Sequence, residues 1–353
     1  MPDVLSQSSP GGRYSRQSLL PQVGHAGQAR LAGARVLLVG CGALGTVIAD
    51  QLVRGGVGWI RIVDRDIVEL SNLQRQTLFD ESDARDQTPK AIAAARRLSA
   101  INSSAQIEPV PTDLVSGNIE ALTDAGGRCV DLILDGTDNA ETRYLINDFA
   151  VHHGVPWVYG ACVGTEGRVM GVAPDRSACL RCLFEQPPAA GELPTCSTAG
   201  VLSAASAVVA SLQVVAGLQM LLGDDAALGL ISVDVWTGRW KSLPTAQARR
   251  ADCPCCGLRQ FEYLNRPPAG DRPLCGQDAV QLRPHPARSL DLHDLARQLE
   301  RSGEVSCNSI WLRYRPTSEQ TVRFSLFVDG RVIVHGVSDA GRARSLYAQH
   351  VGH

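Results

Sequence analysis

The sequence predicts an α/β protein. A doubly wound, Rossmann-like and mostly parallel sheet continues into antiparallel strands, with a structural zinc and a small α/β domain at the C-terminus. Three observations predict it. A short apolar strand, a glycine turn and a helix-period segment follow one another from Val36 to Arg54. Further apolar runs, two of them ending in an aspartate, alternate with helical segments, as in parallel crossover units. Two C-x-x-C pairs, Cys179/Cys182 and Cys253/Cys256, frame the later part of the chain.

A chain of 353 residues with 44% hydrophobic and 20% charged residues is an ordinary globular composition with a large core. Its net charge of −2 gives no global attraction to nucleic acid or to an anionic membrane, so phosphate binding must be local. The opening MPDVLSQSSPGG lacks the basic and apolar regions of a signal peptide and reads as a disordered lead-in over 1–12. Eleven cysteines, with two C-x-x-C pairs, fit metal binding in a reducing cytoplasm better than disulfides.

Arg13-Tyr14-Ser15-Arg16-Gln17 begins the ordered part, followed by a short helix from Gly24 to Ala34. Val36 to Val39 is a continuous apolar run, expected of a strand buried on both faces. Gly40-Cys41-Gly42-Ala43-Leu44-Gly45 then forms a G-x-G-x-x-G turn, and Thr46 to Arg54 has helical spacing. Glycines at 40, 42 and 45 let a phosphate approach bare backbone at a helix N-terminus, which favours negative charge. The next strand, Ile60 to Val63, ends at Asp64, placed to accept hydrogen bonds from ribose hydroxyls. The motif alone leaves NAD and ATP open. Asp66, Asn72, Arg75, Gln76 and Lys90 follow, and several cations near phosphates suit a nucleoside triphosphate rather than a nicotinamide ring.

On these residues the chain resembles the ThiF/MoeB adenylyltransferases of thiamine and molybdopterin biosynthesis, relatives of the ubiquitin-activating enzymes. The resemblance runs from about Arg13 to Gly257. It implies ATP and Mg²⁺ as cofactors, with Asn72, Arg75, Gln76 and Lys90 at the phosphates. It also implies a homodimer in which Arg16 reaches the partner subunit's ATP site; on local sequence alone, Arg16 reads as part of a solvated basic turn. The substrate implied is the C-terminal Gly-Gly of a ubiquitin-like sulfur-carrier protein, with a sulfur donor protein acting later.

Lys90 to Leu98 is an Ala-rich helix, Gln106 to Pro109 a strand and Asn118 to Leu122 a short helix. Val130 to Asp135 is another buried strand ending in Gly136-Thr137-Asp138-Asn139. Ligands of open α/β sheets bind beyond such carboxyl ends, so Asp138 is a candidate Mg²⁺ ligand. The competing reading is an aspartate that caps the helix beginning near Glu141. Pro156 to Gly160 and Gly167 to Ala173 are further strands, the second antiparallel.

Two C-x-x-C knuckles can supply four thiolates to one tetrahedral Zn²⁺, although the 70 residues between them exceed a zinc ribbon. The alternative is a set of buried thiols. The match to the family's positions favours zinc, with Cys255 as the spare thiol. Cys196 precedes an uncharged stretch from Ala199 to Gly223 and would gain reactivity from a helix N-terminus. The resemblance puts this cysteine on a mobile loop near the activated carboxyl; otherwise it is a small residue at a tight turn. The uncharged stretch has the length of a membrane span, but its Ser and Gln content and lack of a basic flank make it a core or interface helix. Val233 to Trp236 and Arg239-Trp240 form a closing strand pair.

The adenylyltransferase domain is expected over 13–262, a linker over 263–274 and a small α/β domain of unknown role over 275–353. In that domain, Leu292 to Leu299 has one apolar helical face, and Ile310, Leu312 and Tyr314 alternate as in a strand. Asp329-Gly330 joins two strands as a hairpin, and Asp339 to Gln349 is a final helix. Cys275 and Cys307 lack the loop a rhodanese persulfide needs. Three other readings are an NAD-dependent oxidoreductase, a tRNA-modifying dehydratase of the same superfamily, and a non-catalytic scaffold.

Overall fold

In the first unit, α1 (Gly24–Gly33) leads into β1 (Arg35–Val39), whose alternate residues enter two different cores. Val36 and Leu38 pack with Ile48, Leu52 and Val209, while Leu37 and Val39 pack with Ile133, Ile146 and Phe149. A strand buried on both faces is continuously apolar for this reason. The computed structural model describes residues 12–188, 196–224, 229–266, 272–273, 278–282, 290–308 and 311–352. The chain divides into two compact units, Met1–Pro267 and Pro268–His353.

After β1 come α2 (Ala43–Gly55), β2 (Trp59–Val63), α3 (Glu81–Asp86), α4 (Lys90–Ile101) and β3 (Gln106–Val110). The chain then crosses back through α5 (Ile119–Thr123) to β4 (Leu132–Asp135), α6 (Ala140–His153), β5 (Trp157–Val163) and β6 (Glu166–Val172). The eight-stranded sheet is completed by β7 (Gly229–Asp234) and β8 (Arg239–Pro244), in the order β3-β2-β1-β4-β5-β6-β7-β8. Strands β3 to β5 in this order are parallel, and β6, β7 and β8 are antiparallel. Because the strand order reverses at β1, the glycine turn sits at the topological switch point, where open sheets bind ligands. At the far edge all six residues of β8 are exposed, Trp240 to 56% and Leu243 to 52%.

Before β7, α7 (Leu180–Leu183) carries the first cysteine pair, with Cys179 as its N-cap and Cys182 within it. The uncharged stretch from Ala199 to Gly223 holds the last residue of α8 (Cys196–Ala199) and all of α9 (Ser203–Leu222), with Gly200 at φ +75° between them. By length and composition α9 passes as a membrane span, but it packs on α2 and on β4, β5 and β6. Two of its polar residues have partners there: Gln213 Nε2 donates to the Asp135 carbonyl at 2.7 Å, and Ser211 Oγ accepts from Gln51 at 2.8 Å. It is a core helix.

A last short helix, α10 (Glu262–Asn265), ends the first unit. The second unit has a sheet in the order β11-β12-β13-β14-β10-β9. Its elements are β9 (Arg272–Pro273), β10 (Ala279–Leu282), α11 (Leu292–Leu299), β11 (Gly303–Cys307), β12 (Trp311–Pro316), β13 (Arg323–Phe327), β14 (Val332–His335) and α12 (Ala340–His350). One core face combines Val280, Leu312, Phe324 and Val334 with Leu292, Leu299 and Leu346 of the two helices. The hairpin at Asp329-Gly330 is present, with Gly330 at φ +81°. Residues 1–11 of the expected lead-in, Cys275 and Ile310 lie outside the described residues.

Candidate active site

The glycines of the turn serve different purposes. A Cβ on Gly45 would lie 2.0 Å from the Gly40 carbonyl oxygen, and one on Gly40 2.7 Å from Gly136, so both are fixed by close backbone packing. Gly42 meets nothing nearer than Gln76 Nε2 at 3.8 Å. The space over it is open to an incoming group. Gln76 itself is buried, and its Oε1 has no hydrogen-bond partner.

Asp64 ends β2 and ties the turn in place. Its Oδ2 accepts the Cys41 amide at 2.6 Å and its Oδ1 accepts the Asp66 amide at 2.7 Å. An ionised carboxylate has about four acceptor sites, so two remain for hydroxyl donors. Burial pushes the Asp64 pKa up, with Lys90 opposing and Asp66 adding. Lys90, at the start of α4, is buried and places Nζ 3.1 Å from Asp66 Oδ2. Burial alone would lower its pKa, but Asp66, Asp64 and Asp138 outweigh that and raise it, so Lys90 is a fixed cation.

Asn72 shapes the turn before Arg75: its Oδ1 accepts the Glu69 amide at 3.1 Å. Arg75 donates to the Ser71 carbonyl at 2.9 Å and has no carboxylate within ion-pair distance among the described residues.

The helix after β4 is capped by Asn139, whose Oδ1 accepts Glu141 and Thr142 amides at 2.9 and 3.4 Å. The capping reading of Asp138 is thereby removed. Asp138 is exposed at the carboxyl end of β4, and its charge acts on Lys90, Arg65 and Arg143. Its loop is held by a buried pair that sequence reasoning missed. Arg143 Nε lies 3.0 Å from Asp135 Oδ2, and Arg143 Nη2 donates to the Thr137 and Gly160 carbonyls at 2.7 and 3.0 Å. Asp135 Oδ1 accepts from Thr137 N and Oγ1. The signal available was only an acid eight residues before an arginine, which local pattern does not distinguish from a surface pair.

Arg16 is exposed and stands apart from the turn. Its neighbour Gln17 donates to the Gly55 carbonyl at 2.8 Å, at the C-terminal end of α2. The glycine turn is at the other end of this 13-residue helix, about 20 Å away, beyond the reach of an arginine side chain.

Cys179, Cys182, Cys253 and Cys256 come together, buried, with all four sulfurs within 4.8 Å of one another. The individual separations are 3.9, 3.6 and 3.3 Å for 179–182, 179–253 and 182–256. Four thiolates at about 2.3 Å around a tetrahedral ion stand about 3.8 Å apart, so the donor set fits zinc with no position left for substrate. Cys255 is outside the cluster and accepts Asn147 Nδ2 at 3.2 Å, while Asn147 Oδ1 accepts the Leu180 amide at 2.9 Å. Cys196 begins the four-residue α8, seven residues before the first residue of α9. The Cys196 side chain lies outside the described residues.

The model described as ThiF family matches residues 14–255. The chain is 42% identical over 346 residues to the sulfur carrier protein ThiS adenylyltransferase of Bacillus subtilis (strain 168), covering 97% of this chain and 99% of that protein. The likeness therefore continues past the second knuckle into the C-terminal unit. The sulfur carrier protein adenylyltransferase of Thermus thermophilus is 41% identical over 253 residues, 69% of this chain and 90% of that one. Among solved structures, E. coli MccB with ATP shares the fold, with a TM-score of 0.60 over 69% of this chain and 74% of that chain at 20% identity. The family match over most of the length and the whole-chain identity agree with the switch-point turn and its cations, and the chain belongs to the ThiF family.

Proposed function

We propose that this chain uses ATP to adenylylate the C-terminal glycine carboxylate of a ubiquitin-like sulfur-carrier protein. The observation that carries the reading is Asp138, exposed after the carboxyl end of β4 and free of any capping role, with its charge acting on the buried Lys90. The names of the relatives at 42% and 41% identity support the carrier as substrate. A carboxylate oxygen of the carrier attacks the α-phosphorus, the bond to the β-phosphate oxygen breaks, and pyrophosphate leaves. The carboxylate is already ionised at neutral pH, so no general base is needed. The chain's work is alignment and neutralisation of charge on the leaving group.

In this reading Gly40, Gly42 and Gly45 receive the phosphates and Asp64 the ribose. Asn72, Gln76, Arg75 and Lys90 contact the phosphates, with Arg16 supplied by a second copy in a homodimer. Asp138, with Asp66 holding Lys90, suits Mg²⁺, a hard cation that takes few protein ligands. The four-thiol cluster would hold a structural zinc. Delivery of sulfur from a donor protein follows adenylylation, and Cys196 is assigned to that later step. The test is carrier-dependent ATP–pyrophosphate exchange with purified carriers ending in Gly-Gly. Exchange with at least one carrier, lost when its terminal glycine is removed, is expected; ATP turnover indifferent to every carrier would overturn the proposal.

A further inference from the structure

We propose that Gln213, in the middle of the core helix α9, is a positioning residue for the loop that carries Asp138. The inference rests on the ATP reading above, in which Asp138 works beside the phosphates and Gln213 touches no substrate. Gln213 Nε2 donates to the main-chain carbonyl of Asp135, the last residue of β4, at 2.7 Å. The Asp135 carboxylate accepts from Thr137 N and Oγ1 at 2.9 and 2.7 Å, and from Arg143 Nε at 3.0 Å. Arg143 Nη2 returns to the Thr137 carbonyl at 2.7 Å, in the peptide that leads into Asp138. Asp135 anchors the loop, and it is held twice. Arg143 and Thr137 fix its side chain, and Gln213 fixes its main chain.

An amide at this point of α9 is expensive for the fold. Gln213 is 0% exposed, and its Oε1 has no hydrogen-bond partner. The other buried residues of α9 are Ala, Val, Gly and Ser206, whose hydroxyl donates within the helix to the Ser203 carbonyl. A buried oxygen left without a donor costs stability that an apolar side chain of the same length would not. Packing alone therefore favours an apolar residue, and what the amide adds is its one donated bond, to Asp135. The neighbouring strand makes room for it. A Cβ on Gly160 of β5 would lie 2.2, 2.2 and 2.3 Å from Gln213 Cδ, Oε1 and Nε2. The Gly160 carbonyl also accepts Arg143 Nη2 at 3.0 Å, so this bare position serves both groups that hold Asp135.

The test compares wild type with Gln213→Met, which keeps the length and loses the donor, and with Gln213→Leu, in carrier-dependent pyrophosphate exchange. The kcat should fall roughly tenfold or more, since an ångström of misplacement can cost about a hundredfold. KM for the carrier and the melting temperature should stay close to their wild-type values. In an Asp138→Ala background the same substitutions should cost less than about twofold, because the group they misplace is already gone. Amide hydrogen exchange at Thr137 should quicken in Gln213→Met while the amides of β1 keep their protection. A normal kcat, an unchanged Thr137 amide, or an equal loss with and without Asp138 would overturn the proposal. So would loss of the fold in both variants, which would make the amide a stability element. A wild type without carrier-dependent exchange would refute the ATP reading itself. With wild-type exchange present, a failure at Gln213 refutes only its positioning role.

Discussion

Asp138 follows β4 and Lys90 begins α4, the helix before β3, yet the charge of Asp138 acts on Lys90. Asp138 is exposed and caps nothing, so removing its carboxylate should cost chemistry and not folding. Asp138→Ala is expected to lower carrier-dependent pyrophosphate exchange roughly a hundredfold or more, the scale of losing one preorganised charged group. Its melting temperature should stay at the wild-type value. Near-normal exchange in the folded variant would dismiss the assignment. At this scale the sequence was informative where a residue type has one physical use. Gly45 admits no Cβ against the Gly40 carbonyl, and an acid ending β2 can bridge the turn. It was silent where a role depends on groups far along the chain. The Asp135–Arg143 pair acquires its meaning only from the Gly160 carbonyl and from Gln213 of α9.

The elements that the sequence announces are those with a buried apolar face. Strands β1, β2 and β4 and helices α2 and α4 lie within three residues of their expected ends at each terminus. The pieces α3, α7, β10 and β11 went unread, because α3 is almost wholly polar and the others are short and interrupted by polar residues. The break between α8 and α9 was hidden by composition: Gly200 interrupts a stretch that is uncharged throughout. The knuckles were legible from spacing, and their meeting makes a specific claim about stability. A closed four-thiolate site contributes to folding and not to chemistry. Replacing Cys182 or Cys253 by Ser should abolish stoichiometric zinc in freshly purified protein. A loss of about 4 kcal/mol should lower Tm by roughly 8–16 °C. Full-strength protein without bound metal would remove the zinc claim.

At the scale of the whole molecule, Arg16 and the glycine turn occupy opposite ends of α2. The proposed role of Arg16 is therefore one in another copy's site. Arg16→Ala and Lys90→Ala should each be inactive alone. Mixed and exchanged, they should recover about a quarter of wild-type exchange, since one of the two sites in each heterodimer keeps both cations. No recovery in confirmed heterodimers would confine Arg16 to its own chain or to no role. The division of labour across the sheet also has a cost in solution behaviour. Among the described residues, strand β8 leaves one edge of backbone donors and acceptors unpaired, beside Trp236 at 77% exposure and Trp240. Such a rim can template a foreign strand, the first contact in ribbon-like self-association. Arg239 is paired with Asp234, so Lys241, next to Trp240, is what puts positive charge along it and repels a second identical rim. Raising ionic strength screens that repulsion, so the concentrated protein should lose colloidal stability with added salt before it loses its fold.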